Sequence, residues 1–306
     1  MNYYFAYGLT IASEIDFPEL VPITLADTPD VKVTIGRVPD NLYENTDNEP
    51  LNLYLSPTEY LLQVNGTASY YAKEGNEVII EPYANACEKS IRLFFLSNAM
   101  AAILYQRKQI PLHGSAIYNH NGVVLFLGDS GAGKSTTVAT LETKGYRIFS
   151  DDVCVPFVKG NHIEIHAAYP MMKLWKDTFH KIDIGNYHDD ARIRPDIEKY
   201  SKFFNESFST APRRVNKIFI LEKSLSDNPL QIKTLKGIEA FKHLQNYAYR
   251  LSYIDAMDVK VAYFEMLNAI LHHVPIIHIS RPANQNTIHE LVQLIETYMD
   301  ALPVSK

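Results

Sequence analysis

The sequence is short of what several protein classes require. It has two cysteines, Cys87 and Cys154, far apart and without C-x-x-C spacing, which excludes a disulfide framework and a cysteine-rich zinc site and fits a reducing cytoplasm. It has no long apolar run. The longest candidate, Ile91 to Tyr105, is broken by Arg92, Ser97 and Asn98, and Met1 to Tyr7 carries no basic segment, so neither a membrane span nor a signal peptide is expected. Positive charge is not in excess: 29 Lys and Arg stand against 35 Asp and Glu, net −6, so the broad cationic surface that nucleic-acid binding needs is missing and nucleic acid is not an expected partner. There is no internal repeat and no low-complexity tract. At 306 residues the chain holds one or two domains.

What it does have is Gly128, Asp129, Ser130, Gly131, Ala132, Gly133, Lys134, Ser135 and Thr136, which match G-x-x-x-x-G-K-[ST] at every fixed position. Val123 to Leu127 reads as a buried strand before this loop, Thr136 to Thr143 as a helix after it, and Gly145 as that helix's C-terminal stop. Glycines at 128, 131 and 133 allow backbone N–H groups to turn toward phosphate oxygens, with the helix N-terminus adding its positive end. Lys134 would reach the β- and γ-phosphates, and Ser135 would place its hydroxyl on Mg²⁺.

Residues 1–85 read as short strands at 31–35, 51–55, 60–64 and 77–80 with Pro-Asp, Ser-Pro and Asn-Gly turns, forming a small β-rich, antiparallel domain. Residues 86–306 form the second domain, α/β in class. It opens on an amphipathic helix over 86–108 and a strand over 110–118 carrying His113. Further strands are expected at 146–149, 153–158, 162–167, 215–221 and 275–279, with helices near 173–181, over much of 236–271, and at 286–302. The polar segment 183–212, without apolar periodicity, reads as a long surface excursion and a candidate acceptor-binding element.

Phosphoryl transfer needs a carboxylate for the metal and a group that orients or deprotonates the acceptor. Asp151 and Asp152, at the C-terminal end of a strand one helix beyond the loop, are placed for both tasks; which of them takes which stays open. The bland reading of the pair is a solvated turn. For His113 it is a core histidine, and the competing reading is a partner that tunes one Asp. Arg213 and Arg214, and also Lys199, Arg250 and Arg281, are candidates for holding phosphate or an anionic substrate. His162 and His166, at i,i+4 on a strand, are too far apart to share a metal easily. His188-Asp189-Asp190 and His272-His273 lack a further ligand, so no structural metal is assigned.

The ordered set of His113-Gly114-Ser115-Ala116, the loop from Gly128 to Thr136, and Ser150-Asp151-Asp152 resembles the catalytic domain of the HPr kinase/phosphorylase family, a P-loop fold of the phosphoenolpyruvate carboxykinase type. The opening Tyr4 to Ile11, with Ser13-Glu14 and Phe17-Pro18-Glu19-Leu20, is similar to shorter HPr-kinase-like serine kinases of lasso-peptide and other ribosomal peptide pathways. The resemblance implies ATP, Mg²⁺, a serine hydroxyl acceptor on a peptide or protein, catalytic roles for His113, Lys134, Asp151 and Asp152, and metal contacts from Ser135 and the Asp pair. It also makes a homo-oligomer plausible. Thr136 stands where the family carries a glutamate, and the HPr-contacting signature is not found in 183–214, which weighs against HPr as acceptor and against the reverse reaction. The rivals are a kinase of a small hydroxyl compound and an ATP-binding regulatory protein without an acceptor.

Overall fold

Apolar and polar residues alternate along the first strands, and that period of two builds a sheet with one covered face. Val31 and Val33 are buried with Lys32 exposed between them, and Val78 and Ile80 repeat the pattern two strands on. The computed structural model describes residues 1–24, 27–39, 51–182, 188–194, 197–225 and 228–300. Among them, the first sheet has eight strands: β1 (Asn2–Ala6), β2 (Leu9–Ser13), β3 (Val21–Pro22), β4 (Val31–Ile35), β5 (Leu51–Leu55), β6 (Glu59–Val64), β7 (Ala68–Lys73) and β8 (Glu77–Pro82), in the order β3-β1-β2-β4-β8-β7-β6-β5. The sheet is larger than a small antiparallel unit, and it is mixed: β2 runs parallel to β4, and β4 to β8.

The helix expected over 86–108 is α1 (Glu88–Phe94), a π-helical turn (Phe95–Ala99) and α2 (Met100–Gln106) in succession. Phe95, Met100, Ile103 and Leu104 share one core with Tyr70, Val78 and Ile80 of the first sheet, and that core continues into Val153, Val155 and Tyr169 of the second half. The helix therefore packs between the two sheets.

The second half is organised on β9 (Leu112–Asn119), β10 (Gly122–Leu127), α3 (Lys134–Thr143), β11 (Arg147–Ser150), β12 (Val153–Lys159) and β13 (His162–Ala167). Then follow β14 (Met171–Trp175), α4 (Lys176–Ile182), β15 (Arg192–Arg194), β16 (Ile197–Phe203), β17 (Arg213–Ser224), β18 (Gln231–Leu235), α5 (Gly237–Leu244), α6 (Tyr253–Ala256), α7 (Lys260–His273), β19 (Ile276–Pro282) and α8 (Ile288–Asp300). β10, β17 and β19 are parallel neighbours at the centre. β9, β10, β17, β13 and β12 pair in a closed ring, so this part of the sheet has no free edge. Two cores sandwich the sheet: α5 and α7 cover one face, while α3 and α8 cover the other.

Two expectations are corrected here. Residues 171–175 are strand, and helix begins only at Lys176, because Met172 and Leu174 are buried with strand spacing against Tyr200 and Phe204. The 183–212 segment is not structureless: β15 and β16 join β14 in a three-stranded sheet, while residues 183–187 and 195–196 lie outside the described residues, as does the end of the 286–302 helix beyond Asp300. No helix among the described residues is long and apolar enough to cross a membrane.

The β1–β2 turn joins the halves. Tyr7 and Gly8 have φ of 59° and 80°, the left-handed pair that a two-residue hairpin requires. The Tyr7 amide donates to the carbonyls of Ala167 and Ala168 at 3.1 Å each, its hydroxyl donates to Leu96 O at 2.7 Å, and its ring meets Tyr169 edge to face. A Cβ on Gly8 would sit 2.5 Å from His166 Cγ, whose ring is stacked on Phe157. Gly66, in the β6–β7 hairpin, has a similar φ of 70° but open space around it. Gly66→Ala should therefore cost about 1 kcal/mol of backbone strain. Gly8→Ala should cost about 1–3 kcal/mol more through the clash with His166, a difference read directly from denaturant unfolding of the two variants.

Candidate active site

The apolar run of β10 ends at Leu127, and the chain then turns sharply at Gly128, φ 148°, where a Cβ would lie 2.3 Å from Leu221 O on the parallel neighbour β17. Glycine is required there because the strand ends run too close for any side chain. Gly131 (φ 80°) and Gly133 (φ 103°) complete the turn, and α3 starts at Lys134. Lys134 is buried and folds its ammonium onto the loop, donating to Gly128 O at 2.8 Å and Asp129 O at 3.2 Å.

Asp151 and Asp152 follow β11 in a bend in which Asp152 is left-handed, φ 71°. The bend, not strand alternation, sends the two carboxylates to different partners. Asp151 is 2% exposed and accepts three hydrogen bonds: from Ser115 Oγ at 2.5 Å, from Ser135 Oγ at 2.8 Å and from the Lys173 amide at 3.0 Å. Asp152 accepts from Lys173 Nζ at 2.8 Å and from Tyr249 Oη at 3.5 Å, and lies 3.6 Å from His113 Nε2. The Tyr249 ring stands edge to face with His113. Residues 247–249 are aligned on the start of β9 by His113 N donating to Tyr247 O and Tyr249 N to Pro111 O, both at 2.8 Å.

Burial alone would raise the Asp152 carboxyl, but Lys173, with His113 and Lys199, outweighs it and holds the group well below the usual carboxylate range. Burial would likewise lower Lys173, yet Asp152 keeps its ammonium charged far into the alkaline range. Burial, then the Lys134 charge, lowers the His113 imidazole against the opposing pull of the two aspartates, so it is neutral at pH 7. Lys134 is lowered by burial, partly offset by Asp151 and Asp152.

These groups line one cavity of about 720 Å³. Seven Lys and Arg side chains against four Asp and Glu border it, a local excess of positive charge in a chain of net −6. Lys199, in β16, lines it and sits over the Trp175 ring at 5.5 Å. Arg281 also lines it, donating to Ala132 O at 2.9 Å while its Nε is buried without a partner. Thr136 faces the cavity and meets Thr178 Oγ1 at 3.4 Å.

Other candidates are placed elsewhere. Arg213 and Arg214 begin β17, whose far end carries the cavity-lining Lys223, so they stand roughly 30 Å away; Arg213 packs over the Tyr118 ring at 4.3 Å. Arg250 lies over Tyr249 behind the site. His162 bonds Glu164 at 3.2 Å, His166 stacks on Phe157, and His272 and His273 pack on each other. Sequence reasoning missed Lys173, Tyr249 and Ser115. A lysine between the buried Met172 and Leu174 was the available signal for the first, since a charge at a covered strand position needs a partner.

No family model and no curated protein matches the chain. Among solved structures it is similar to the HPr(Ser) kinase/phosphatase from Coxiella burnetii, at 13% identity and a TM-score of 0.33, over 62% of this chain and 95% of that one.

Lys173→Met should leave the partly exposed Asp152 without its ammonium and cost about 1–3 kcal/mol at neutral pH. The folded Asp152 carboxyl lies below its unfolded value of about 3.9, so its contribution is present above that pH and lost in acid. In the variant the folded value rises instead. The loss relative to wild type should thus shrink between pH 7 and pH 4, and Asp152→Asn should recover much of it in the same background; denaturant unfolding at the two pH values measures both.

Proposed function

We propose that the chain is an ATP-dependent phosphotransferase that moves the γ-phosphate to a serine hydroxyl of a peptide or protein. The observation that supports this best is the convergence on one cationic cavity of the glycine-turned loop with Lys134, the Ser135–Asp151 pair, and the His113–Asp152–Lys173 cluster. A nucleotide fits the loop because the strand-end turn at Gly128 leaves backbone, not side chain, facing the phosphates, and because the first turn of α3 has free N–H groups by construction.

Ser135 and Asp151 present the two oxygens that would hold Mg²⁺, which when bound would supply neutralising charge for the phosphates. Lys134, drawn off the loop carbonyls, places its charge on the β- and γ-phosphates. Arg281 has an unpaired buried Nε beside the loop and can meet charge that develops on the transferred group. Asp152 stays ionised throughout the working pH range, so it accepts the hydrogen bond of the incoming hydroxyl and orients it. As a weak base it takes the proton late, which suits the loose transition state of phosphoryl transfer. Neutral His113, its Nε2 3.6 Å from Asp152, directs a ring N–H toward that carboxylate and orients it without adding a positive charge that would weaken it as an acceptor.

Exposed Trp175, on the small sheet at the cavity edge, gives an extended chain an apolar contact, and Lys199 gives it a charge to pair with. This favours a peptide acceptor, for which the precursor of a ribosomally made, lasso-type peptide is the first candidate.

Intact-mass spectrometry of Ser-containing peptides incubated with Mg-ATP tests the reading: a gain of one phosphate on serine is expected. Lys134→Ala should reduce the rate by at least about 10²-fold, and His113→Gln by about 10²-fold or more, with unfolding curves unchanged. Because the His113 imidazole lies below its free value of about 6.5, the acid limb of kcat should fall below that pH. ATP binding without phosphorylation of any peptide or small hydroxyl compound would overturn the assignment in favour of a nucleotide-responsive regulator.

A further inference from the structure

On the opposite face of the sheet from the phosphate loop, a second polar cluster has no part in the site above. Along β17, Ile218 and Ile220 face the α5/α7 core, and the next residue with the same orientation is Glu222. On β19, Ile276 faces that core and is followed at the same spacing by His278. His243 comes down from α5, which covers this face. His278 Nε2 and Glu222 Oε2 are 2.7 Å apart, and the two imidazole rings have centroids 4.8 Å apart. One ligand atom from each of the three residues lies within 4.8 Å of both others.

From this we infer that Glu222, His243 and His278 bind a divalent metal ion of the zinc class, in a site separate from the nucleotide cavity. Three atoms no more than 4.8 Å apart fit within a circle of radius about 2.8 Å, so movements of under about 1 Å bring them to the roughly 2.0–2.2 Å of zinc–nitrogen and zinc–oxygen bonds. The ring nitrogens and the single carboxylate select a borderline transition metal over Mg²⁺ or Ca²⁺, which take oxygen sets. Two of the ligands stand on rigid neighbouring strands, and only His243 and the outer part of Glu222 must adjust; Glu222 is 49% exposed and His278 17%. Glu239 stands near both rings and is ion-paired at 2.6 Å with Lys233, the cross-strand neighbour of His278, so that lysine's charge does not oppose the ion. Three protein ligands leave the remaining position to water, and the ion would pin α5 to the ends of β17 and β19.

The test uses full-length protein treated with chelator and titrated with Co²⁺ and then Zn²⁺, read by visible absorbance and calorimetry. Excess Mg²⁺ in every titration saturates the other, oxygen-rich cation site. One zinc per chain is expected, raising the melting temperature. Each of Glu222→Gln, His243→Ala and His278→Ala should weaken it at least about tenfold and abolish the melting shift, while circular dichroism shows them folded. Absence of binding, or binding equally tight in all three variants, would overturn the assignment.

Discussion

A carboxylate that is 2% exposed survives burial only if both its oxygens are hydrogen-bonded, and Asp151 meets that demand with donors from three different elements. Ser115 comes from β9, Ser135 from the start of α3, and the Lys173 amide from β14. None of these can slip along its neighbours without stranding a buried charge. The register of the 128–136 loop against the opposite wall of the cavity is thus fixed by one side chain. Because β14 is tied through its backbone, the Lys173 side chain is delivered to Asp152, and the second carboxylate is positioned as a consequence of the first.

The wall behind this pair explains what a β-rich unit without chemistry of its own contributes. Tyr7 from the β1–β2 turn, Tyr169 and Tyr249 are all buried and have phenols raised by that burial, so they remain neutral. Tyr169 and Tyr249 both lie within the electrostatic reach of Lys173. Neutral rings in place of water lower the local dielectric, and the Asp152–Lys173 attraction is correspondingly stronger. The first sheet, anchored through the Tyr7 amide to Ala167 and Ala168, holds that wall shut. It acts on the site without touching the cavity.

The parts of the molecule legible in the sequence are those whose cause is local. The phosphate loop, its flanking strand and helix, and the Gly145 stop each depend on residues within a few positions, and the structure places them accordingly: the Gly145 amide caps Glu142 O at 2.9 Å. Asp151 and Asp152 were legible as a pair, but their division of partners was not, since it depends on a left-handed bend and on a distant lysine. The strand at 171–175 was hidden because its five residues run into a helix with similar apolar content, and its pairing with β16 is a non-local event. Arg213 and Arg214 precede a buried strand, a cue shared by both ends of any strand that crosses a sheet. Only the direction of β17 decides that Lys223, and not they, reaches the cavity.

That same strand carries a more general consequence. Lys223 points toward the cavity, and Glu222, one residue earlier, points to the other face and meets His278. The period of two thus places a cation at the cavity and an anion beside the histidine pair at the same strand end, with the sheet between them. Were both on one face, Glu222 would offset Lys223, and the excess of positive charge around the cavity would shrink. Strand alternation keeps an overall acidic chain locally cationic around the cavity, and it does so without any long-range charge segregation in the sequence.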